Sequence, residues 1–104
     1  MRMNSLNSVL LEGVLEEDSK VRTTKEGNEV IFFTLISNRH YKKNDYIHKE
    51  SILITIEFWG NLAGSIKECL VKDKSIRVIG RVAQYGSQLV VIAEHIEIKP
   101  SVEG

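Results

Sequence analysis

The sequence predicts an all-β domain with one short helix: a five-stranded Greek-key barrel in the order β-β-β-α-β-β. Three observations carry this. Apolar and polar residues alternate over most of the chain, the period of a half-buried strand. Only one stretch, from Leu62 to Leu70, repeats at helical spacing. Five alternating segments are too few for a sandwich, and a single helix is too few for a parallel sheet.

The first strand is expected from about Leu6 to Leu15, with Val9, Leu11, Gly13 and Leu15 on one face and Leu10, Glu12 and Val14 on the other. Gly13 inside such a run marks a bend or bulge where a small barrel turns a corner. Glu16-Glu17-Asp18 reads as a solvated turn, Val21 to Thr24 as a short extension of the same ladder, and Lys25 to Asn28 as a turn. The second strand, Val30 to Ser37, has apolar residues on both faces: Ile31, Phe33 and Leu35 on one, Phe32 and Ile36 on the other. A polar segment, Asn38 to Glu50, reads as a loop. The third strand, Ile52 to Trp59, directs Ile52, Ile54, Ile56 and Phe58 to the core, and Leu53, Thr55, Glu57 and Trp59 outward. Gly60 ends it. Asn61 then caps a short amphipathic helix with Leu62, Ile66, Cys69 and Leu70 on its apolar side.

After a turn at Val71 to Lys74, the fourth strand sets Ile76, Val78, Gly80 and Val82 inward, with Arg77, Ile79 and Arg81 outward. Tyr85-Gly86-Ser87 is a tight turn. In the last strand, Leu89 to Ile98, the apolar phase shifts between Ala93 and Ile96, which requires a bulge near Glu94-His95. This element order is that of the OB-fold, a partly open Greek-key barrel.

Length and composition set the outer bounds. A chain of 104 residues is one domain with one core, taken as residues 1–99, and residues 100–104 form a short tail beginning at Pro100, the only proline. Fourteen basic and fourteen acidic side chains leave no global charge to attract a polyanion, so any such attraction must be local. A single cysteine excludes an internal disulfide framework and suits a reducing cytoplasm. No apolar run approaches the roughly 20 residues of a membrane span, and Met1 to Ser5 lacks the core of a secretory signal.

No enzyme, metal or cofactor chemistry is expected. His40, His48 and His95 are scattered, no nucleophile signature surrounds them, and the glycines match no phosphate-cradling loop. The informative stretch is Arg39 to Lys49. Arg39, Lys42, Lys43 and Lys49 are opposed there by Asp45 alone, with Tyr41 and Tyr46 interleaved. Cations follow a phosphate backbone and aromatic faces stack on unpaired bases. The plain alternative is a solvated loop whose tyrosines pack at its base. Trp59 on the outward face of the neighbouring strand favours binding, and Arg22, Lys72, Arg77 and Arg81 could extend a cationic track. Burial of Trp59 in a subunit interface is its competing reading, and Glu57 counts against phosphate binding. Phe32, Ile36, Leu53 and Ile79, apolar on outward faces, would equally suit a protein-interaction adaptor.

Several segments in order resemble the bacterial single-stranded DNA-binding proteins. Asn7 to Leu15 is similar to the family's Asn-x-Val-x-Leu-x-Gly-x-Leu strand, and Asp18-Ser19-Lys20-Val21-Arg22 to its Asp-Pro-x-Val-Arg turn. Gly27 to Leu35 resembles Gly-x-x-Val-x-x-x-Thr-Leu, and Phe58 to Ala63 resembles Phe-Gly-Lys-Leu-Ala. Leu70-Val71-Lys72 through Val82 is similar to the segment Leu-x-Lys-Gly followed by Val-x-Gly-x-Leu. The resemblance implies sequence-tolerant binding of single-stranded DNA in replication, recombination and repair, a nucleoid-associated place in the cytoplasm, and a homo-oligomer, with a tetramer favoured over a dimer. It also implies replication or repair proteins as partners. By position, Trp59 and Tyr41 fall where the family stacks a phenylalanine and a tryptophan, and Lys42, Lys43, Lys49 and Lys72 lie at or near its cationic contacts.

Departures accompany it. Leu53 and Thr55 stand where a stacking tryptophan and an arginine are common, and Ser8 and Asn61 replace lysines. The turn at Tyr85-Gly86 is much shorter than the family's, and its acidic, phenylalanine-ended tail has no counterpart in Ser101 to Gly104. Those two features also resemble primosomal replication protein N, a dimeric relative whose closing strand is similar to Ala93 to Glu97. The expected DNA-binding residues are therefore Arg22, Arg39, Tyr41, Lys42, Lys43, Tyr46, Lys49, Trp59, Lys72 and Arg81.

Overall fold

A computed structural model describes residues 5–60 and 66–100. Its strands are β1 (Val9–Leu15), β2 (Lys20–Thr23), β3 (Glu29–Lys43), β4 (Tyr46–Trp59), β5 (Ser75–Tyr85) and β6 (Gln88–Ile98). They form one sheet in the order β1-β5-β6-β4-β3-β2, and a further β1–β3 pairing closes it into a barrel. β1 is the predicted first strand and β2 its short extension: β1 lies along β5 and meets β3 at Val14 and Leu15, and β2 continues on β3. The five-stranded OB barrel is therefore present. β4 and β6 are its one parallel pair, with Ile56 beside Val91.

Closure depends on two close approaches. A Cβ at Gly13 would overlap the Ile36 carbonyl oxygen, so only glycine lets β1 bridge β5 and β3. A Cβ at Gly80 would likewise overlap the Ile92 carbonyl oxygen. Gly80 sits where the β5–β6 register slips, from Ile79 opposite His95 to Gly80 opposite Ala93. Glu94 is the extra residue, at the bulge that the change of apolar phase predicts. Before β1, the Asn7 side chain imitates one more rung of the ladder, donating to the Val82 carbonyl at 2.8 Å and accepting from the Val82 N–H at 2.9 Å.

The inward rows meet as expected. Leu15, Ile31, Leu35, Ile56, Ile76 and Val78 are fully buried, with Phe33, Val91, Ala93 and Ile96 beside them. Two inward assignments fail. Ile52 is 50% exposed, because β4 has already left the barrel there. Cys69 is exposed rather than core. Among the described residues the predicted helix appears only as Ile66 and a 3₁₀ turn at Lys67–Cys69, whose three-residue period turns Cys69 outward and buries Leu70. Asn61 and Leu62, the expected cap and helix start, lie outside the described residues, as does the tail beyond Pro100.

The largest departure is the segment read as a loop. β3 and β4 pair without interruption from Val30 opposite Trp59 to Lys43 opposite Tyr46, so Asn38 to Glu50 is a two-stranded ribbon. Asn44 and Asp45 turn it with φ of 53° and 65°. Two left-handed residues in succession make the tight hairpin turn that matches strand twist, and asparagine and aspartate tolerate that conformation best after glycine.

Candidate nucleic-acid interface

The outward face of the barrel around Glu57 is held by one carboxylate. Glu57 is only 3% exposed, although its strand position points it away from the core. Three donors from three strands explain this. Arg22 of β2 donates through Nη2 to Oε2 at 3.1 Å, while Trp59 Nε1 of β4 and the Tyr85 hydroxyl of β5 both donate to Oε1, each at 3.1 Å. A buried carboxylate is tolerable only when paired and hydrogen-bonded, and here both oxygens are engaged. Read from sequence, Glu57 was a repulsive charge beside Trp59. In the fold its charge is answered by Arg22, and its second oxygen fixes two aromatic side chains.

The Arg22 guanidinium lies 5.4 Å from the Phe32 ring centroid, so it bridges a carboxylate and an aromatic face. Trp59 and Tyr85 keep 39% and 48% of their surfaces exposed. Between them opens a hollow of about 370 Å³, with Ala83 and Ile92 completing its apolar lining and Arg81 also on its wall. On the other side of Tyr85 lies a larger cleft of about 430 Å³, bordered by Glu16, Glu17 and Asp18 as well as Lys20, Arg22 and Gln88. The acidic turn is thus a cleft rim. Burial first, and then the hydrogen bond to Glu57, raise the pKa of the Tyr85 phenol, so it remains a donor well into alkaline pH.

The ribbon carries most of the remaining expected residues, divided between its two faces. Register sets Arg39 opposite Glu50, Tyr41 opposite His48 and Lys43 opposite Tyr46 on one face. His40 opposite Lys49 and Lys42 opposite Ile47 lie on the other, which continues the outward face of the barrel. Arg39 is paired with Glu50 at 3.0 Å and stands over the Tyr41 ring at 5.0 Å, while His48 stacks on Tyr41 at 5.3 Å with an interplanar angle of 18°. Tyr41 is therefore already flanked by its own neighbours. Tyr46 is 72% exposed near the tip. Lys42, Lys43 and Lys49 form no ion pair among the described residues.

Arg22, Trp59 and Arg81 thus come together on the barrel, and six of the ten expected residues ride on the ribbon. Lys72 joins neither group; it lies beside Glu17, Asp18, Ser19 and Lys20, its backbone N–H donating to Asp18 at 2.8 Å. Tyr85 and Phe32 were missed as site residues. Tyr85 continues the outward row of Arg77, Ile79 and Arg81 by strict alternation, and that phase was the available signal. Arg77, considered as part of the cationic track, is instead bound to Glu12 and Glu97 on the β1-β5-β6 face. No group of metal-ligating side chains occurs among the described residues.

The match to the single-strand binding protein family model runs over residues 6–95. The chain belongs to the single-strand binding protein family. Its members are binding proteins rather than enzymes. It is 27% identical over 110 aligned positions to the single-stranded DNA-binding protein of Treponema pallidum, covering 98% of this chain and 62% of that protein. It is 32% identical over 78 positions to that of Borreliella burgdorferi, covering 75% of this chain and 52% of that protein. The chain thus spans less than two thirds of the length of either. Among solved structures, a Plasmodium falciparum single-stranded DNA-binding protein in complex with single-stranded DNA superposes with a TM-score of 0.78 at 17% identity, covering 96% of this chain and all of that one. The protein PriB from Ralstonia solanacearum superposes with a TM-score of 0.74 at 17% identity, covering 90% of this chain and 98% of that one. At such identities these two share the fold.

Proposed function

We propose that this protein binds single-stranded DNA with little regard to sequence. The observation that carries the reading is the half-exposed Trp59, tied to Glu57 beside Tyr85 and Arg81 on the outward face of an OB barrel. Any base offers a π-face to such a ring, so stacking is sequence-tolerant and contributes on the order of 1–3 kcal/mol per base. Family membership, and the two curated relatives named for this activity, support the same reading.

Binding divides between two regions. On the barrel, Trp59 stacks and Arg81 meets phosphate, with Arg22 nearby. On the ribbon, Lys42, Lys43 and Lys49 supply the phosphate contacts, and Tyr46 near the tip supplies a further exposed ring. Arg39 and Tyr41 contribute only after loosening their contacts with Glu50 and His48. The protein acts as a homo-oligomer, with a tetramer favoured, in protecting DNA during replication, recombination and repair. Its place is in the cytoplasm at the nucleoid, with replication or repair proteins as partners. A dimeric role like that of primosomal replication protein N is the second reading, favoured by the two-residue β5–β6 turn at Gly86-Ser87 and by the likeness to PriB.

Titration with oligothymidylate at low and moderate salt tests this. Trp59 is the only tryptophan, so its fluorescence reports one site. Quenching on binding is expected, with affinity falling as salt rises by a log–log slope of about −0.7 for each phosphate neutralised. Absence of both refutes the proposal. Molar mass in solution with and without the oligonucleotide decides between tetramer and dimer.

A further inference from the structure

Two aromatic donors on different strands share a single oxygen atom. The Trp59 indole N–H and the Tyr85 hydroxyl each donate to Glu57 Oε1 at 3.1 Å. The polar edges of the two rings therefore converge on one point, and both rings remain partly exposed. The hollow of about 370 Å³ lies between them, with Ala83 and Ile92 in its lining and the Arg81 side chain at hand. We infer that Glu57 is a positioning residue that sets Trp59 and Tyr85 as the two walls of a slot for one unpaired nucleobase.

Three physical features favour that occupant. The lining is aromatic and apolar, as suits the flat face of a base. Arg81 puts a cation where the phosphate attached to that base would follow. On the far side of Tyr85, Glu16, Glu17 and Asp18 outnumber Lys20 and Arg22 around the larger cleft, and Arg22 is already paired with Glu57, so the Trp59 side is the more favourable one for a polyanion. Glu57 itself does not repel strongly, because Arg22 occupies its other oxygen and the carboxylate is buried.

Fixing the rings in advance matters for affinity. An indole and a phenol free to change rotamer would each lose that freedom on clasping a base, whereas rings already tethered lose little. Glu57 therefore acts through Trp59 and Tyr85 without touching DNA. The slot rests on the single-strand-binding reading above, and it adds Tyr85 as a second wall and Glu57 as the part that sets both.

The test uses the full chain and an oligothymidylate, with four variants and two readouts. Tyr85→Leu removes one wall, and about a tenfold loss of affinity is expected. Tyr85→Phe keeps the wall and cuts its tether, so a smaller loss is expected. Glu57→Ala should free Trp59, seen without DNA as faster decay of its fluorescence anisotropy, and should weaken binding by a similar factor. Glu57→Gln retains an acceptor oxygen and should restore both the slow decay and most of the affinity, which a merely structural role would not demand. Should Glu57→Ala not fold, the two Tyr85 variants decide, since Tyr85 is half exposed at a strand end. Wild-type binding that is unchanged in Tyr85→Leu overturns the slot alone, and equal Trp59 mobility in Glu57→Ala and wild type overturns the positioning role. A wild-type chain that binds no oligonucleotide overturns the function beneath both.

Discussion

Between Val30 and Leu35, β3 runs through a closed barrel, with Ile31, Phe33 and Leu35 in the core and Phe32 and Thr34 partly covered outside. Between Asn38 and Lys43 the same strand is one half of an open ribbon, with side chains exposed except for the half-buried Tyr41. β4 makes the same passage in reverse. In the barrel, order comes from burial: each fully buried aliphatic side chain contributes roughly 1.5–3 kcal/mol. In the ribbon it comes from cross-strand pairs, Arg39 with Glu50, Tyr41 with His48, and Ser51 donating to Asn38 at 2.6 Å, each worth well under that. A region held by pairs can exchange them for contacts with a ligand, and a region held by a core cannot.

That contrast can be broken or sharpened by mutation. Gly13→Ala should have the largest effect. Its Cβ meets the backbone of Ile36 where β1 closes the barrel, and a loss of about 3 kcal/mol or more is expected in urea unfolding. Ile56→Ala should cost about 2–5 kcal/mol by opening a cavity in the core. Ile52→Ala, on the same strand and in the same inward row, should cost within about 0.5 kcal/mol, because Ile52 is half exposed where β4 has left the barrel. A large effect at Ile52 would mean that something covers this face in solution.

Replacing Lys42, Lys43 and Lys49 together by alanine should leave unfolding within about 0.5 kcal/mol of wild type and flatten the salt slope of oligonucleotide binding by up to about 2. An unchanged slope would remove the ribbon from the phosphate contacts. The smallest effect is electrostatic. The Arg77 hydrogen bond, then the Lys99 charge, hold the Glu12 carboxyl below the usual carboxylate range. The unfolded chain takes up that proton first as pH falls. The contribution to stability is thus present above the ordinary carboxylate pKa and is lost as pH drops through the folded value. Glu12→Gln should make acid unfolding slightly less steep, read from the midpoint of thermal unfolding as pH is lowered.

How much of this was legible depended on whether burial left a periodic trace. Ile76, Val78 and Gly80 alternate with half-buried neighbours because only one face of β5 is dry, and Ile96 falls out of phase with Ala93, so that strand and even the bulge at Glu94 could be read directly. The ribbon has two wet faces. Alternation there carries no contrast in hydropathy, and Asn38 to Glu50 reads as loop although it is as regular as any strand. Asn44-Asp45 was its one available mark, two residues tolerant of positive φ between runs of equal length. Glu57 was illegible for another reason: its partners Arg22 and Tyr85 stand 35 and 28 residues away, and no local pattern reports a charge neutralised at such separation. Cys69 falls on the apolar side of an α-helical period, but the chain makes a 3₁₀ turn there, and its shorter period turns the thiol outward.

The parallel pairing of β4 with β6 bears on how the molecule is made. Thr55 to Phe58 have no permanent neighbour on that edge until Val90 to Ala93 arrive, and the intervening residues contribute β5. During synthesis from the N-terminus, β1 to β4 would leave the ribosome with one edge of the barrel open and with Ile56 and Phe58 lacking their partners. Contacts this distant in sequence form late and slowly. The β3–β4 hairpin, joined by a two-residue turn, is the part that can form first. The hairpin that carries Lys42, Lys43 and Lys49 is then also the earliest scaffold on which the barrel is built.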